Sequence, residues 1–253
     1  MAEMTELHID LGNTRGKWRL LHCGQRVAQG TVEPNTGRGL PRLESLEIEV
    51  IKPIPVILAS VAKSSVEAHL RSVLRDYCDC VIETLYTQST ALGLVNSYAS
   101  PDRMGVDRWL AMLAAWYPNQ TGVVVVDAGS ALTLDVVTES GQHQGGVIIP
   151  GADLSERVLL EQTGKVRFDE DVAHELKLGH STAECVRFGI AHAQLGALES
   201  IAKRFDLHPY KWFFAGGAGA WLQARMDVSG ELAPDLVLDG IGLVARIDSS
   251  ANR

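Results

Sequence analysis

Two short segments carry residues that can grip phosphate. Asp10-Leu11-Gly12-Asn13-Thr14 and Asp127-Ala128-Gly129-Ser130 each follow an apolar run and read Asp-x-Gly-polar. Glycine lets the backbone approach an anion closely and adopt positive φ. Successive N–H groups in such a turn form a concavity for oxygen anions. Asn13, Thr14 and Ser130 add neutral donors, and Lys17 is close enough along the chain to add a positive charge. Asp10 and Asp127, at the ends of their runs, can hold a hydrated Mg2+ or a monovalent cation. The same residue types also make plain hairpin turns. One loop alone does not separate the readings; two, each between apolar strands, favour phosphate.

A third glycine cluster, Phe214-Ala215-Gly216-Gly217-Ala218-Gly219-Ala220, follows an apolar run and opens a helical pattern. A helix N-terminus with close backbone approach suits a nucleotide. The spacing lacks the full G-x-G-x-x-G and there is no Walker lysine, so neither a dinucleotide fold nor a P-loop is supported. Residues 96–109, Asn-Ser-Tyr-Ala-Ser-Pro-Asp-Arg-Met-Gly-Val-Asp-Arg-Trp, place Asp107 and Arg108 side by side at the start of an apolar helix. There Asp107 is either a helix cap or a base with an anion-binding neighbour. Asp102 can supply the cap instead, and the spacing leaves both open.

The elements that must position these residues follow from the apolar periodicity. Strands are predicted at Leu7–Leu11, Lys17–Leu21, Arg26–Val32, Pro55–Val61 and Val81–Leu85, with a helix at Ser64–Tyr77. Residues 86–104 lack periodicity, and Val106–Tyr117 reads as a helix with Trp109, Leu110, Leu113 and Trp116 along one apolar face. The pattern then restarts. Val123–Val126 is a β-branched run suited to a sheet centre, followed by strands at Leu132–Val137 and Gly146–Ile149. Helices near Ala152–Gln162 and Thr182–Phe205 come next, then a strand at Lys211–Ala215, a helix at Ala218–Met226, a strand at Leu236–Leu238 and a helix at Ile241–Ile247. Each half thus begins with a strand ending in Asp-x-Gly-polar, then a meander, then helices. A single boundary near Pro118–Thr121 divides the chain into 1–118 and 119–253.

Composition narrows the function class. The 253 residues are 46% hydrophobic and 21% charged, with a formal net charge of −8. Such a chain can bury a sizeable core. No basic stripe runs along it, which argues against nucleic acid as a partner. The N-terminal segment has no signal-peptide pattern and the apolar runs are interrupted, so a cytoplasmic protein without a membrane span is expected. Cys78 and Cys80 form a C-x-C pair with no second pair at zinc spacing.

Taken in order, these segments resemble the type III pantothenate kinases. DLGNT at 10–14, NSYASPDRMGVDRW at 96–109, DAGSALTLD at 127–135, GGVIIPG at 145–151, GHSTAECVRFGI at 179–190 and the glycines at 216–217 match that family's motifs through almost the whole chain. The resemblance implies an α/β fold of two ribonuclease-H-like (actin-like ATPase) halves with ATP in the cleft between them. It implies ATP-dependent phosphorylation of the primary hydroxyl of pantothenate, the first step towards coenzyme A, with Asp107 as general base. It further implies that Tyr98, Gly105, Val106, Asp107, Arg108 and Thr182 line the pantothenate pocket. Asp10, Leu11, Gly12, Asn13, Thr14, Arg15, Gly16, Lys17 and Ser130 would bind ATP. Asp127 would hold a monovalent cation, K+ or NH4+, and Asp10 would serve Mg2+ directly or through water. A homodimer is implied, with the pocket near the subunit interface. The chain departs from the pattern at Ser130, Met104 and Ala215, where the family usually has Thr, Leu and Thr. Alternatives on the same fold are a kinase of another small alcohol or sugar, or a non-catalytic accessory factor; the presence of Asp107 and Arg108 argues against the latter.

Overall fold

A computed structural model describes residues 5–43 and 50–251. The chain forms two five-stranded sheets of the same topology, each with its own apolar core. It is an α/β protein of two ribonuclease-H-like halves.

The first sheet has strands β1 (Thr5–Leu11), β2 (Gly16–His22), β3 (Gln25–Val32), β4 (Ile54–Ser60) and β5 (Cys80–Thr84) in the order β3-β2-β1-β4-β5. The β1–β2–β3 meander is antiparallel, whereas β4 and β5 run parallel to β1. The crossover between β4 and β5 is helix α1 (Ser64–Tyr77), which buries Leu70 and Leu74 at four-residue spacing. Those leucines join Leu7, Ile9, Leu11, Val56 and Leu58 in one core. Alternating burial along β2 shows the sheet's two faces, whereas central β1 and β4 are covered almost throughout.

After two short extended pieces, β6 (Thr90–Ala91) and β7 (Leu94–Val95), and a 3-10 turn at Pro101–Arg103, helix α2 runs Val106–Trp116. It is buried continuously from Arg108 to Trp116, so the single apolar face expected from the sequence understates its burial.

The second sheet has β8 (Val123–Ala128), β9 (Ala131–Val137), β10 (His143–Pro150), β11 (Lys211–Ala215) and β12 (Gly230–Leu232) in the order β10-β9-β8-β11-β12. Its β8–β9–β10 meander is antiparallel and β11 and β12 are parallel to their neighbours, repeating the first sheet. Helices α3 (Ala152–Gln162) and α4 (Thr182–Arg204) follow the meander. Ser181 caps α4 by accepting from the Glu184 N–H, and Glu184 accepts from the His180 N–H; the Ser-x-x-Glu spacing produces this pair.

The short strands β6, β7 and β12 were not expected from the sequence, and two helices differ from its reading. Helix α5 spans only Gly219–Gln223, and the strand expected at Leu236–Leu238 is instead the first turn of α6 (Leu236–Ala251). Leu-Val-Leu is apolar on every side because all three are buried, and such a run does not distinguish strand from helix. α6 contacts β1, β2 and β4, and Arg19 on β2 pairs with Asp239 on α6 at 2.6 Å. The compact units are therefore not divided by one cut near residue 118. One takes the chain to Leu92, Tyr98–Ala114 and everything from Asp235; the other takes Gly93–Ser97 and Ala115–Pro234.

Candidate active site

The two Asp-x-Gly turns occupy equivalent places. Asp10 is the penultimate residue of β1, between Lys17 on β2 and Ala59 on β4. Asp127 is the penultimate residue of β8, between Thr133 on β9 and Ala215 on β11. Both are half-buried, and both lead into exposed turns. The correspondence extends to the backbone. Leu11 O accepts from the Val61 N–H at 3.0 Å, and Ala128 O accepts from the Ala218 N–H at 3.1 Å. In each unit the end of the central strand is tied to the segment leaving its parallel neighbour.

In the first unit the Gly12 N–H donates to Arg15 O at 3.1 Å, closing a tight turn that exposes Asn13, Thr14 and Arg15. Asn13 does more than offer a donor. Its Nδ2 donates to Val61 O at 3.3 Å, and its Oδ1 accepts from the Lys63 N–H at 2.9 Å. This side chain fastens the loop to the start of α1. Lys17 lies directly across the strand pair from Asp10, and Gly16 packs where a Cβ would stand 2.8 Å from Val32.

The same unit holds Asp107. It lies in the first turn of α2, and its Oδ1 accepts from the Arg108 N–H at 2.7 Å. Asp102 belongs to the separate 3-10 turn upstream. A Cβ at Gly105 would stand 2.5 Å from the Asp107 carboxylate and 3.4 Å from Val61 Cγ1, so glycine there leaves room for the acid. Val61 thus accepts from Asn13 of the loop and has its side chain close to Gly105. Arg108 is buried; its Nη1 donates to the Tyr98 hydroxyl at 3.0 Å and its guanidinium lies 5.8 Å from that ring's centre. Val106 is buried and Met104 is held through its carbonyl by Thr87 at 2.9 Å.

In the second unit two glycine segments converge on the Asp127–Ser130 turn. Gly216 takes φ +77, and a Cβ there would stand 2.4 Å from Ala128 and 2.5 Å from Asp127 Oδ1. Gly151 donates to Ser130 O at 3.1 Å, and a Cβ on it would collide with Gly129 O at 2.3 Å. Beside them opens a cavity of about 970 Å3 whose wall includes Gly129, Gly217, Ala218, Trp221, Arg225 and His174. From the sequence Gly216-Gly217 could be either a nucleotide contact or a tight strand-to-helix turn, and nothing there pointed to His174, Trp221 or Arg225, which come from distant segments. Thr182 is the exposed first residue of α4 in this unit and lines an apolar groove with Ile149, Pro150, Leu159 and Ile190. The remaining pocket residues expected with it belong to the first unit.

Among the described residues there is no group of three or more His, Cys, Asp or Glu side chains able to hold a metal. Single carboxylates at Asp10 and Asp127 suit cations that complete their shell with phosphate, backbone and water oxygens. The Asp127 carboxylate in particular faces a cradle that a Cβ at 216 would fill.

The sequence model of type III pantothenate kinase matches residues 6–204. The chain belongs to that family. The type III pantothenate kinase of Marinobacter nauticus is 34% identical over 94% of this chain and 97% of its own. That of Nitrosospira multiformis is 32% identical over 95% of this chain and 90% of its own. A solved structure from Campylobacter jejuni, titled as a conserved Baf family transcriptional activator, superposes with a TM-score of 0.60 at 20% identity. It covers 96% of this chain and 99% of its own, and bears on the fold alone. The family match covers both Asp-x-Gly turns, Asp107 and Thr182, whereas everything from β11 onwards, including Gly216, Trp221 and Arg225, lies beyond residue 204.

Proposed function

We infer that this type III pantothenate kinase transfers the γ-phosphoryl group of ATP to the primary hydroxyl of pantothenate. The observation that carries this reading beyond family membership is the bridge through Val61. Val61 accepts from Asn13 of the turn and lies close to Gly105, the glycine that leaves room for the Asp107 carboxylate, which supports a base near a phosphate loop.

Asp107 takes the proton from the substrate hydroxyl as its oxygen attacks the γ-phosphorus and ADP leaves. Arg108 meets the anionic end of pantothenate or the incoming phosphate, while Tyr98, Gly105, Val106 and Thr182 shape the pocket. The backbone and side chains of Asp10 to Lys17, with Ser130, hold the phosphates, and the nucleoside occupies the cavity beside Gly217. Mg2+ supplies charge neutralisation on the phosphates, served by Asp10; Asp127 holds K+ or NH4+. Positioning and electrostatics of this kind carry most of phosphoryl-transfer catalysis.

The exposed apolar side chains Ile148, Val158 and Leu178 support a homodimer. No helix among the described residues is long and apolar enough to cross a membrane, which agrees with the cytoplasmic location we propose.

A coupled assay of ATP consumption with pantothenate, pantothenol and glucose tests the assignment. Pantothenate is expected to be the best substrate and neutral pantothenol a much poorer one, because buried groups left without a partner are costly. Faster turnover of glucose would reject pantothenate as the substrate.

A further inference from the structure

Residues 163–181, between α3 and α4, have no helix or strand of their own, yet part of this stretch forms a wall of the nucleoside cavity. Long irregular connections inside compact units are commonly functional. Here one side chain holds the connection. Arg187, on α4, donates from Nε to Glu156 Oε2 at 2.8 Å and from Nη2 to Glu156 Oε1 at 3.2 Å, anchoring itself on α3. Its remaining donor, Nη1, reaches into the connection, to Asp171 Oδ1 at 2.8 Å and to Val172 O. Its guanidinium also lies 5.7 Å from the centre of the Phe168 ring. Immediately downstream, Ala173, His174, Glu175, Leu176 and Lys177 face the cavity. Trp221, also in the cavity wall, donates to His174 O at 3.2 Å. His174 Nε2 is buried with no hydrogen-bond partner.

We propose that Arg187 is a positioning residue for the nucleotide, holding the 173–177 wall, with His174 in it, against the cavity. This rests on the reading of that cavity as the nucleoside site. Arg187 touches no residue assigned to phosphate binding in the contacts above, and its one link towards the acceptor side is Phe168, which lines a hollow with Thr182, so its main effect falls on the nucleotide. When the wall is in place for only a fraction of the time, apparent nucleotide affinity falls by that fraction.

The test compares Arg187→Ala, Asp171→Ala and Gly217→Leu in steady-state assays varying ATP and pantothenate separately. In Arg187→Ala the KM for ATP should rise by about tenfold, as for a wall in place about a tenth of the time. kcat and the KM for pantothenate should stay within about twofold of the parent. Asp171→Ala, an exposed change that leaves the Arg187–Glu156 pair intact, should give a smaller rise of the same kind and guards against a misfolded arginine variant. Trypsin should also cut faster at Lys165, Arg167 and Lys177 in both. A purely structural role would lower the melting temperature and kcat without separating the two KM values. An unchanged KM for ATP in folded Arg187→Ala overturns the proposal. If Gly217→Leu, which has open space for its side chain, still raises that KM, the cavity reading survives; if it does not, both fall together.

Discussion

His143 Nε2 lies 3.1 Å from Asp135 Oδ1, and neither side chain is more than 2% exposed. The other ring nitrogen, Nδ1, is 2.9 Å from Ser97 Oγ. An ionised Asp135 can only accept, so in the neutral ring Nε2 carries the proton and Nδ1 accepts from the serine hydroxyl. The chain of three groups fastens the segment before Tyr98 to the β9–β10 hairpin. Removing the imidazole leaves a carboxylate sealed from water. His143→Ala should therefore cost about 3–5 kcal/mol, the range for breaking a buried pair. Denaturant unfolding at neutral pH measures it, and a loss below about 0.5 kcal/mol, typical of a surface change, would contradict this account.

Asp107→Asn keeps the shape of the side chain and its bond to the Arg108 N–H but cannot take a proton. kcat should fall by about 10²–10⁴-fold, the usual worth of a general base, while the melting temperature stays near that of the parent. Near-normal turnover would mean that Asp107 serves only the first turn of α2.

Activity should be higher in K+ or NH4+ than in Na+, and Asp127→Asn should abolish the difference. The motivation is the half-buried Asp127 carboxylate, lying where only glycine fits at 216. Equal rates in Na+ and K+ buffers of matched ionic strength would remove the cation from this site.

The thiols divide into reactive and inert. Burial, reinforced by neighbouring Cys80, pushes the Cys78 thiol up to about 12. Since the thiolate is the nucleophile, Cys78 should escape iodoacetamide at pH 8 until the protein is unfolded. Exposed Cys23 and Cys185 should be alkylated under the same conditions. Peptide mass spectrometry reads each site separately, and early labelling of Cys78 would refute its burial.

Where one period repeats over several residues, the fold was legible. Helix α1 was bounded at Ser64 and Tyr77 from the spacing of Val66, Leu70 and Leu74, and β8 from four consecutive valines. The paired Asp-x-Gly turns could be read because Asp and Gly are demanded by local geometry. Elements decided by tertiary contact could not. β12 is three residues on a sheet edge, and α6 begins with an apolar run that fits either period. The Asp135–His143 bond was equally hidden. It joins adjacent strands across an irregularity between His143 and Gly145, and no spacing along a chain encodes that. At Asp107 sequence physics leaves cap and base open, and the fold adds what no spacing carries, a glycine at 105 that leaves room for the carboxylate and Val61 beside that glycine. Arg187 was invisible because its partners Glu156 and Asp171 come from two other segments.

The return of α6 to the first sheet has a bearing on how the chain acquires its structure. Arg19 and Arg26, made early, find their partner Asp235 only after the entire second sheet has emerged from the ribosome. The second unit contains no residue beyond Pro234. Vectorial synthesis therefore lets the later half mature first, while the earlier half waits with the surface of β1 and β4 that α6 covers still open to solvent. A nascent chain stalled on a C-terminal linker long enough to carry Pro234 clear of the ribosome should be protease-resistant in its second half and sensitive in its first.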